Sequence, residues 1–370
     1  MFADIIVVGA GLAGCVSSRI LADNGFSVLL VEKRKHVAGQ CYDYKNQLGI
    51  TVHQYGPHIF HTNDRSIWDY VNRFADFNGY QHRVLSYING GYVPYPVNRN
   101  TINNLFGTCL SNDEIQAFLK EKASPFTQYS NDNFAMAVKA QIGEALYHWL
   151  VENYTRSQWE CEPEELSAEL AGRIPVRHNG DGRYFTDKYQ GLPIGGYTKM
   201  IEKILDHKNI KILMGCDYFE IADQIQADLT VYTGELDRFF DYRSGRLEYR
   251  SVRIDQQDLL LDEFQPAAVV NYPNDYDYTR ITEFKKMTLE QSKHTTICYE
   301  YPLASGDPFY VVPSQDNMRK RDGYLNEVQR LESQGKHLFI GRLAQYCYYN
   351  MDEVISSAIY KSNEWLEKQI

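Results

Sequence analysis

The stretch Asp4-Ile5-Ile6-Val7-Val8-Gly9-Ala10-Gly11-Leu12-Ala13-Gly14, running on to Val28-Leu29-Leu30-Val31-Glu32, constrains the fold more than any other part of the chain. β-branched residues feed into Gly-x-Gly-x-x-Gly. An apolar helical run follows, stopped by Asn24-Gly25, and then a second apolar run ending in an acid. This order predicts a strand, a phosphate-cradling turn, a helix and a second strand. Gly9 permits the tight turn, Gly11 lets backbone N–H groups approach a pyrophosphate, and Gly14 lets the helix pack close to the sheet. The positive end of the helix then faces the phosphates. Glu32, eighteen residues past Gly14, is placed to accept hydrogen bonds from a ribose. The alternative is an ordinary βαβ unit with glycines at its turns, but the strand, helix and terminal acid together favour a dinucleotide site.

With 370 residues the chain has room for two or three domains. An apolar content of 44% excludes a disordered chain. The net charge of −10 and isoelectric point near 5.5 argue against broad nucleic-acid binding or attachment to an anionic membrane. An anionic ligand must therefore be drawn in by local arginines. Seven cysteines without any CxxC spacing suggest reduced thiols and a cytoplasmic protein. The first strand begins almost at once and no apolar run approaches eighteen residues, so neither a signal peptide nor a membrane span is expected.

Lys33 to Gln40 is a basic, glycine-bearing loop that suits a diphosphate or, equally, a solvated turn. His53, His58 and His61 crowd around Gly56-Pro57, but no acid or cysteine lies at ligand spacing and Gly-Pro breaks any aligning helix. A cofactor or substrate role is therefore preferred and no metal is expected. Ile67, Tyr70, Val71 and Phe74 predict a helix. Asn89-Gly90-Gly91 predicts a hairpin. Ser111 to Glu114 predicts a capping box, and residues 131–153 a helix, with another opening at Pro163. Arg173, Arg177 and Arg183 share a loop rich in Gly, Pro, Asn and Asp, suited either to gripping phosphate or to lying in solvent. Strand-like runs return at 210–213, 227–234 and 337–340, and residues 240–315 read as an antiparallel sheet.

Several ordered motifs resemble the UDP-galactopyranose mutase family along essentially the whole chain. They are Gly9-x-Gly11-x-x-Gly14, Tyr55-Gly56-Pro57-His58-Ile59-Phe60-His61-Thr62, Tyr154-Thr155-x-x-Gln158-Trp159, Arg173-Ile174-Pro175-Val176-Arg177, Asp277-Tyr278-Thr279-Arg280-Ile281 and Gly341-Arg342-Leu343. The resemblance implies an α/β fold with α+β insertions. Its parts are a discontinuous FAD-binding Rossmann-like domain (1–78, 188–240 and 330–370), an inserted helical bundle (100–170), and an antiparallel β-sheet substrate domain (79–99, 171–187 and 241–329).

It also implies an isomerase that interconverts UDP-galactopyranose and UDP-galactofuranose for polysaccharide biosynthesis, with no net redox change, through a sugar adduct on N5 of reduced FAD. An external reductant such as NAD(P)H and a homodimer or other homo-oligomer follow from the same likeness. By the matched motifs, Arg173, Arg280 and His58 are implied as catalytic. Tyr154, Thr155, Trp159, Tyr184, Glu300, Tyr310, Tyr346, Tyr348 and Asn350 join the two arginines on the substrate. Gly9, Gly11, Gly14, Glu32, Lys33, Gly39, Gln40, Arg342 and Met351 join His58 on the cofactor.

The chain departs from the family pattern at Ala38-Gly39-Gln40, Leu150, Val311 and Asn350. Asn350 replaces an acceptor-only carboxylate with an amide that also donates. The same chemistry on UDP-N-acetylgalactopyranose or dTDP-fucopyranose therefore stays open. An FAD-dependent oxidoreductase of the amine-oxidase type ranks below both, because it needs no diphosphate clamp.

Overall fold

The computed structural model describes residues 3–369. Five strands form one sheet in the order His337–Phe339, Leu229–Tyr232, Ile5–Val8, Val28–Glu32, Ile210–Met214. Every neighbouring pair is parallel. Ile5–Val8 and Val28–Glu32 are buried throughout, as continuous β-branched runs covered on both faces must be. Helix Leu12–Asp23 covers one face together with Tyr197–Leu205 and the last helix, Met351–Glu367. Because the strands run the same way, their carboxyl ends share one edge, the place where open parallel sheets bind ligands.

The opposite face is closed by a helix that starts where the strand reading of 240–315 ends, within the segment 241–329 expected for the sheet domain. Gln315–Ser333 is a 19-residue helix opened by the Ser314 hydroxyl, which accepts from the Asn317 N–H at 3.3 Å. Its Tyr324 and Val328 are buried against Tyr232, Leu236, Phe240 and Phe339. The segment is mostly polar, with few periodic apolar positions, and only the aromatic floor beneath it reveals its buried face.

The second sheet has seven strands, in the order Tyr310–Val311, Tyr249–Leu259, Thr295–Leu303, Arg280–Glu283, Val269–Asn271, Val84–Ile88, Gly91–Tyr95. It is antiparallel except where Val269–Asn271 runs parallel to Val84–Ile88. Those two strands lie far apart in the chain, so no hairpin dictates their direction. The expected hairpin through Asn89-Gly90 forms as read, with Asn89 and Gly90 both at positive φ.

After Gly91–Tyr95, residues 99–159 are largely helical around Ile102, Ile115, Leu119, Phe134, Val138 and Leu146. Glu114 accepts from the Ser111 N–H at 2.8 Å, the back-bond of the expected capping box. The single helix expected over 131–153 is broken at Gly143 (φ +78), where an added Cβ would lie 2.7 Å from that of Lys122. Phe134, Ile142, Leu146 and Leu150 keep their buried face across the break, which is why the period reads through it. Beyond Gly143 the helix resumes with one wide π-helical turn, His148–Glu152, before Asn153–Trp159. At Pro163 only a single 3-10 turn forms, Pro163–Glu165, instead of a helix.

Candidate active site

At the carboxyl edge of the parallel sheet, the turn after Ile5–Val8 wraps around Gly9, Ala10 and Gly11. A Cβ on Gly14 would lie 1.9 Å from the Gly9 carbonyl oxygen, so helix and turn touch there through bare backbone. A Cβ on Gly11 would meet no protein atom within 4 Å. Gly11 is thus the open side of the turn, facing a cleft also lined by Glu32, Lys33, Gly39, His58 and Arg342. Glu32 holds this geometry. Its Oε2 accepts from the Ala10 N–H at 2.7 Å and its Oε1 from the Arg34 N–H at 2.8 Å. Each oxygen keeps a lone pair for a ribose hydroxyl. Lys33, Gly39 and Gln40 line the same cleft, whereas Gly14 lies behind it as packing. The Gln40 amide donates to the Pro308 carbonyl at 2.7 Å, joining the basic loop to the far wall.

At the other end of the cleft, His58, Arg342 and Met351 meet. His58 Nδ1 lies 2.9 Å from the Gly56 carbonyl, which puts the proton on Nδ1 and leaves Nε2 as an acceptor. Burial, reinforced by the neighbouring His53 ring, lowers its pKa to about 3, so the ring is neutral at physiological pH. Its backbone N–H donates to His53 Nδ1 at 3.1 Å, which fixes the turn. Arg342 donates to the Phe309 and Tyr349 carbonyls at 3.2 and 2.7 Å. Met351 opens the 17-residue last helix, whose N-terminus faces the cleft.

The second sheet supplies the other wall. Arg280 and Glu300 are paired residues on adjacent antiparallel strands, and Arg280 Nε donates to Glu300 Oε2 at 2.7 Å. Against burial, which favours the neutral form, the Glu300 carboxylate holds the Arg280 guanidinium well above its usual range. The bond through Nε leaves the paired Nη groups for an anion. The Gly56 turn lies over this pair, since a Cβ there would be 3.4 Å from Glu300 Oε2. Tyr154, Tyr184 and Tyr310 each sense the Arg280 charge and have their hydroxyl pKa raised by burial, Tyr154 to about 12. They are neutral hydrogen-bonding walls. Tyr348 stacks on Tyr310 (5.8 Å between centroids, 17°) and Trp159 lies 5.8 Å from Tyr348.

Of the three loop arginines, one reaches out of the loop. Arg177 binds the carbonyls of Asp181 and Tyr184 at 3.1 Å each, and that of Arg183. Arg183 is paired with Asp181 at 2.7 Å. Arg173 instead reaches across to Tyr348, its guanidinium 4.3 Å from the ring centroid, and donates to the Tyr348 carbonyl and Asn350 Oδ1 at 2.6 and 2.7 Å.

Two expected substrate residues are buried side chains. Tyr346 is only 1% exposed, and its hydroxyl donates to the Glu248 carbonyl at 2.6 Å. It is a core residue beneath Tyr348, brought inward because its φ of +47 turns the chain. Thr155 is buried next to Tyr154 in the same helix.

Of the three histidines considered for a metal, His53 accepts from the His58 N–H, while His61 stacks on Phe185 at 3.6 Å and is bonded to Asp187. Sequence reading missed Thr233, whose hydroxyl donates to the Val8 carbonyl at 2.7 Å, and Asp217, Phe219 and Arg238, all of which line the cleft. The signal available for them was position alone, just past the ends of strands 210–214 and 229–232.

A family model described as UDP-galactopyranose mutase matches residues 149–348, and one for an NAD(P)-binding Rossmann-like domain matches residues 7–74. A probable UDP-galactopyranose mutase of Klebsiella pneumoniae is 38% identical over 369 residues, covering 98% of this chain and 94% of its own. A dTDP-fucopyranose mutase of Escherichia coli is 33% identical over 369 residues, covering 96% of each chain. The crystal structure of a reduced UDP-galactopyranose mutase superposes with a TM-score of 0.79 at 16% identity, covering 99% of this chain and 96% of that one, a likeness of fold.

Proposed function

The chain belongs to the UDP-galactopyranose mutase family, and on that premise we propose that it interconverts UDP-galactopyranose and UDP-galactofuranose with reduced FAD held in the glycine-lined cleft. The observation that carries this reading is the Arg280–Glu300 pair at 2.7 Å, ringed by Tyr154, Tyr184, Tyr310 and Tyr348 beside that cleft. A glycosyl diphosphate leaves as an anion. A guanidinium anchored through Nε, with its Nη groups directed at the leaving diphosphate, stabilises that charge as it develops. Arg173 supplies a second cation from the opposite side once it exchanges the Asn350 amide for phosphate oxygen.

FAD fits the cleft: Gly11 leaves room for its diphosphate, Glu32 has lone pairs for its ribose, and the N-terminus of Met351–Glu367 and Arg342 offer positive ends to an electron-rich ring. Reduced flavin supplies a nucleophilic nitrogen for exchange at the anomeric carbon. The protein's own groups do the rest. His58 Nε2, the free acceptor beside the cofactor cleft, holds or passes a proton there. The tyrosines exclude water and orient the sugar. Tyr154 and Trp159 form the base-side wall, and Glu300 positions Arg280.

A second substrate is favoured by Asn350, an amide where the sugar is expected, and by the relative described as a dTDP-fucopyranose mutase. The test is to incubate the dithionite-reduced, FAD-loaded protein with UDP-galactopyranose and dTDP-fucopyranose separately and to resolve the products by chromatography. UDP-galactofuranose formed only under reducing conditions is the expected result. Furanose from the dTDP sugar alone would shift the assignment to the second substrate. Substrate loss with oxygen uptake, and no furanose from either, would overturn the mutase reading.

A further inference from the structure

The helix that presents Tyr154 carries an irregularity that needs a cause. A π-helical turn is uncommon because it widens the helix and weakens its packing, and such turns gather at functional sites. Here it occupies His148–Glu152, immediately before Asn153 and Tyr154. On its outer side, Glu152 pairs with His148 and with Arg156. On the side facing the second sheet, the Trp149 carbonyl accepts from Asn274 Nδ2 at 3.1 Å. Asn274 Oδ1 in turn accepts from Asn153 Nδ2 at 2.9 Å. One amide side chain thus bridges the start of the π turn and the residue that ends it.

Asn274 belongs to the short loop between Val269–Asn271 and Arg280–Glu283, six residues before Arg280. The far end of the same helix is also tied to the sheet. Glu160 turns left-handed (φ +49), and the buried Arg250 donates through Nε to the Trp159 carbonyl at 2.5 Å. Residues 149–159 are therefore held at both ends by side chains of the second sheet, with Tyr154 between them.

The geometry points to Asn274 as a positioning residue that ties the π turn presenting Tyr154 to the loop and strand presenting Arg280, so that the base-side wall and the diphosphate clamp keep a fixed spacing. This rests on the nucleotide-sugar reading for its consequence, but the tie is a property of the chain itself. The hydrogen bonds of Asn274 go to Asn153 and Trp149, neither of which lines the cofactor cleft, so its loss acts on nucleotide affinity and leaves the flavin alone. Asn274→Asp is the sharpest probe. It keeps shape and the acceptor for Asn153, but it sets a carboxylate oxygen against the Trp149 carbonyl in place of a donor.

Two measurements on the FAD-loaded full chain test the assignment. In the first, UDP is titrated into wild type and Asn274→Asp. The expected result is a Kd raised about tenfold, equivalent to one lost hydrogen bond, with an unchanged flavin absorption spectrum. In the second, amide hydrogen exchange is followed without ligand, and the expected result is faster exchange confined to residues 149–159. Asn274→Ala, which lacks the added charge, should reproduce both effects. A Kd for UDP within twofold of wild type in both variants overturns the proposal, as does unchanged protection of residues 149–159. If wild type itself does not bind UDP, the nucleotide-sugar reading falls, and the exchange measurement still decides whether the tie exists.

Discussion

Replacing Arg280 by Met separates two roles that the Arg280–Glu300 pair combines. The pair is close, 2.7 Å, and the Glu300 side chain is only 4% exposed. At an effective dielectric near 20, two charges about 4 Å apart attract by about 4 kcal/mol. Removing the guanidinium leaves a carboxylate buried without its partner, which costs about 3–5 kcal/mol of stability. The same change removes the donor proposed for the leaving diphosphate, and loss of one such preorganised donor lowers kcat by about 10²–10³.

The two losses respond differently to a second substitution. In Arg280→Met/Glu300→Gln the uncompensated carboxylate is gone, so stability should recover by about 2 kcal/mol over the single variant. Turnover should not recover at all. Urea unfolding of the FAD-loaded proteins gives the first quantity, and chromatographic assay of furanose formation gives the second. Flavin absorbance verifies that the cofactor stays bound. If Arg280→Met loses less than about 1 kcal/mol and keeps more than about a tenth of wild-type turnover, the pair is an ordinary ion pair and the reasoning fails.

Gly11→Ala should fold with near-normal stability, because its Cβ meets only open space, yet bind flavin poorly; Gly14→Ala, 1.9 Å from the Gly9 carbonyl, should lose stability as well as colour. Absorbance and urea midpoints compared side by side check both, and a stable, fully yellow Gly11→Ala would refute the open-side assignment. For pH, burial lowers His53 to about 4 and His82 to about 3. Both stay neutral in the folded state, while the unfolded chain takes up protons below about pH 6.5. Their stabilisation is therefore complete above that pH and is lost as pH falls toward 4, by up to about 1.4 kcal/mol per pH unit for each. A urea midpoint that does not change between pH 7 and 5 would contradict this. Arg177→Ala, which releases the Asp181, Arg183 and Tyr184 carbonyls, should speed proteolysis of residues 173–184 and raise KM. Arg183→Ala, which loses only an ion pair with Asp181, should change KM by less than about twofold. Equal effects from the two variants would show that the loop is not ordered through Arg177.

The opening βαβ unit was legible in the chain because its partners are neighbours in sequence: Gly9, Gly14 and Glu32 meet within one strand–helix–strand unit whose sterics leave little choice. The same holds for the hairpin at Asn89-Gly90 and the back-bond from Ser111 to Glu114. Tertiary structure decided what local chemistry leaves degenerate. Three arginines in one loop look alike as text; remote carbonyls and carboxylates determine that Arg177 and Arg183 are occupied within the loop while Arg173 reaches the cleft. Tyr346 and Tyr348 lie two residues apart, yet a left-handed turn sends one into the core and leaves the other stacked on Tyr310. The pairing of Arg280 with Glu300 depends on strand register, and the burial of Gln315–Ser333 depends on an aromatic surface assembled from distant segments. A guanidinium or a phenol takes whatever partner the folded chain brings within about 3 Å, and that distance is set by packing between elements rather than by order along the chain.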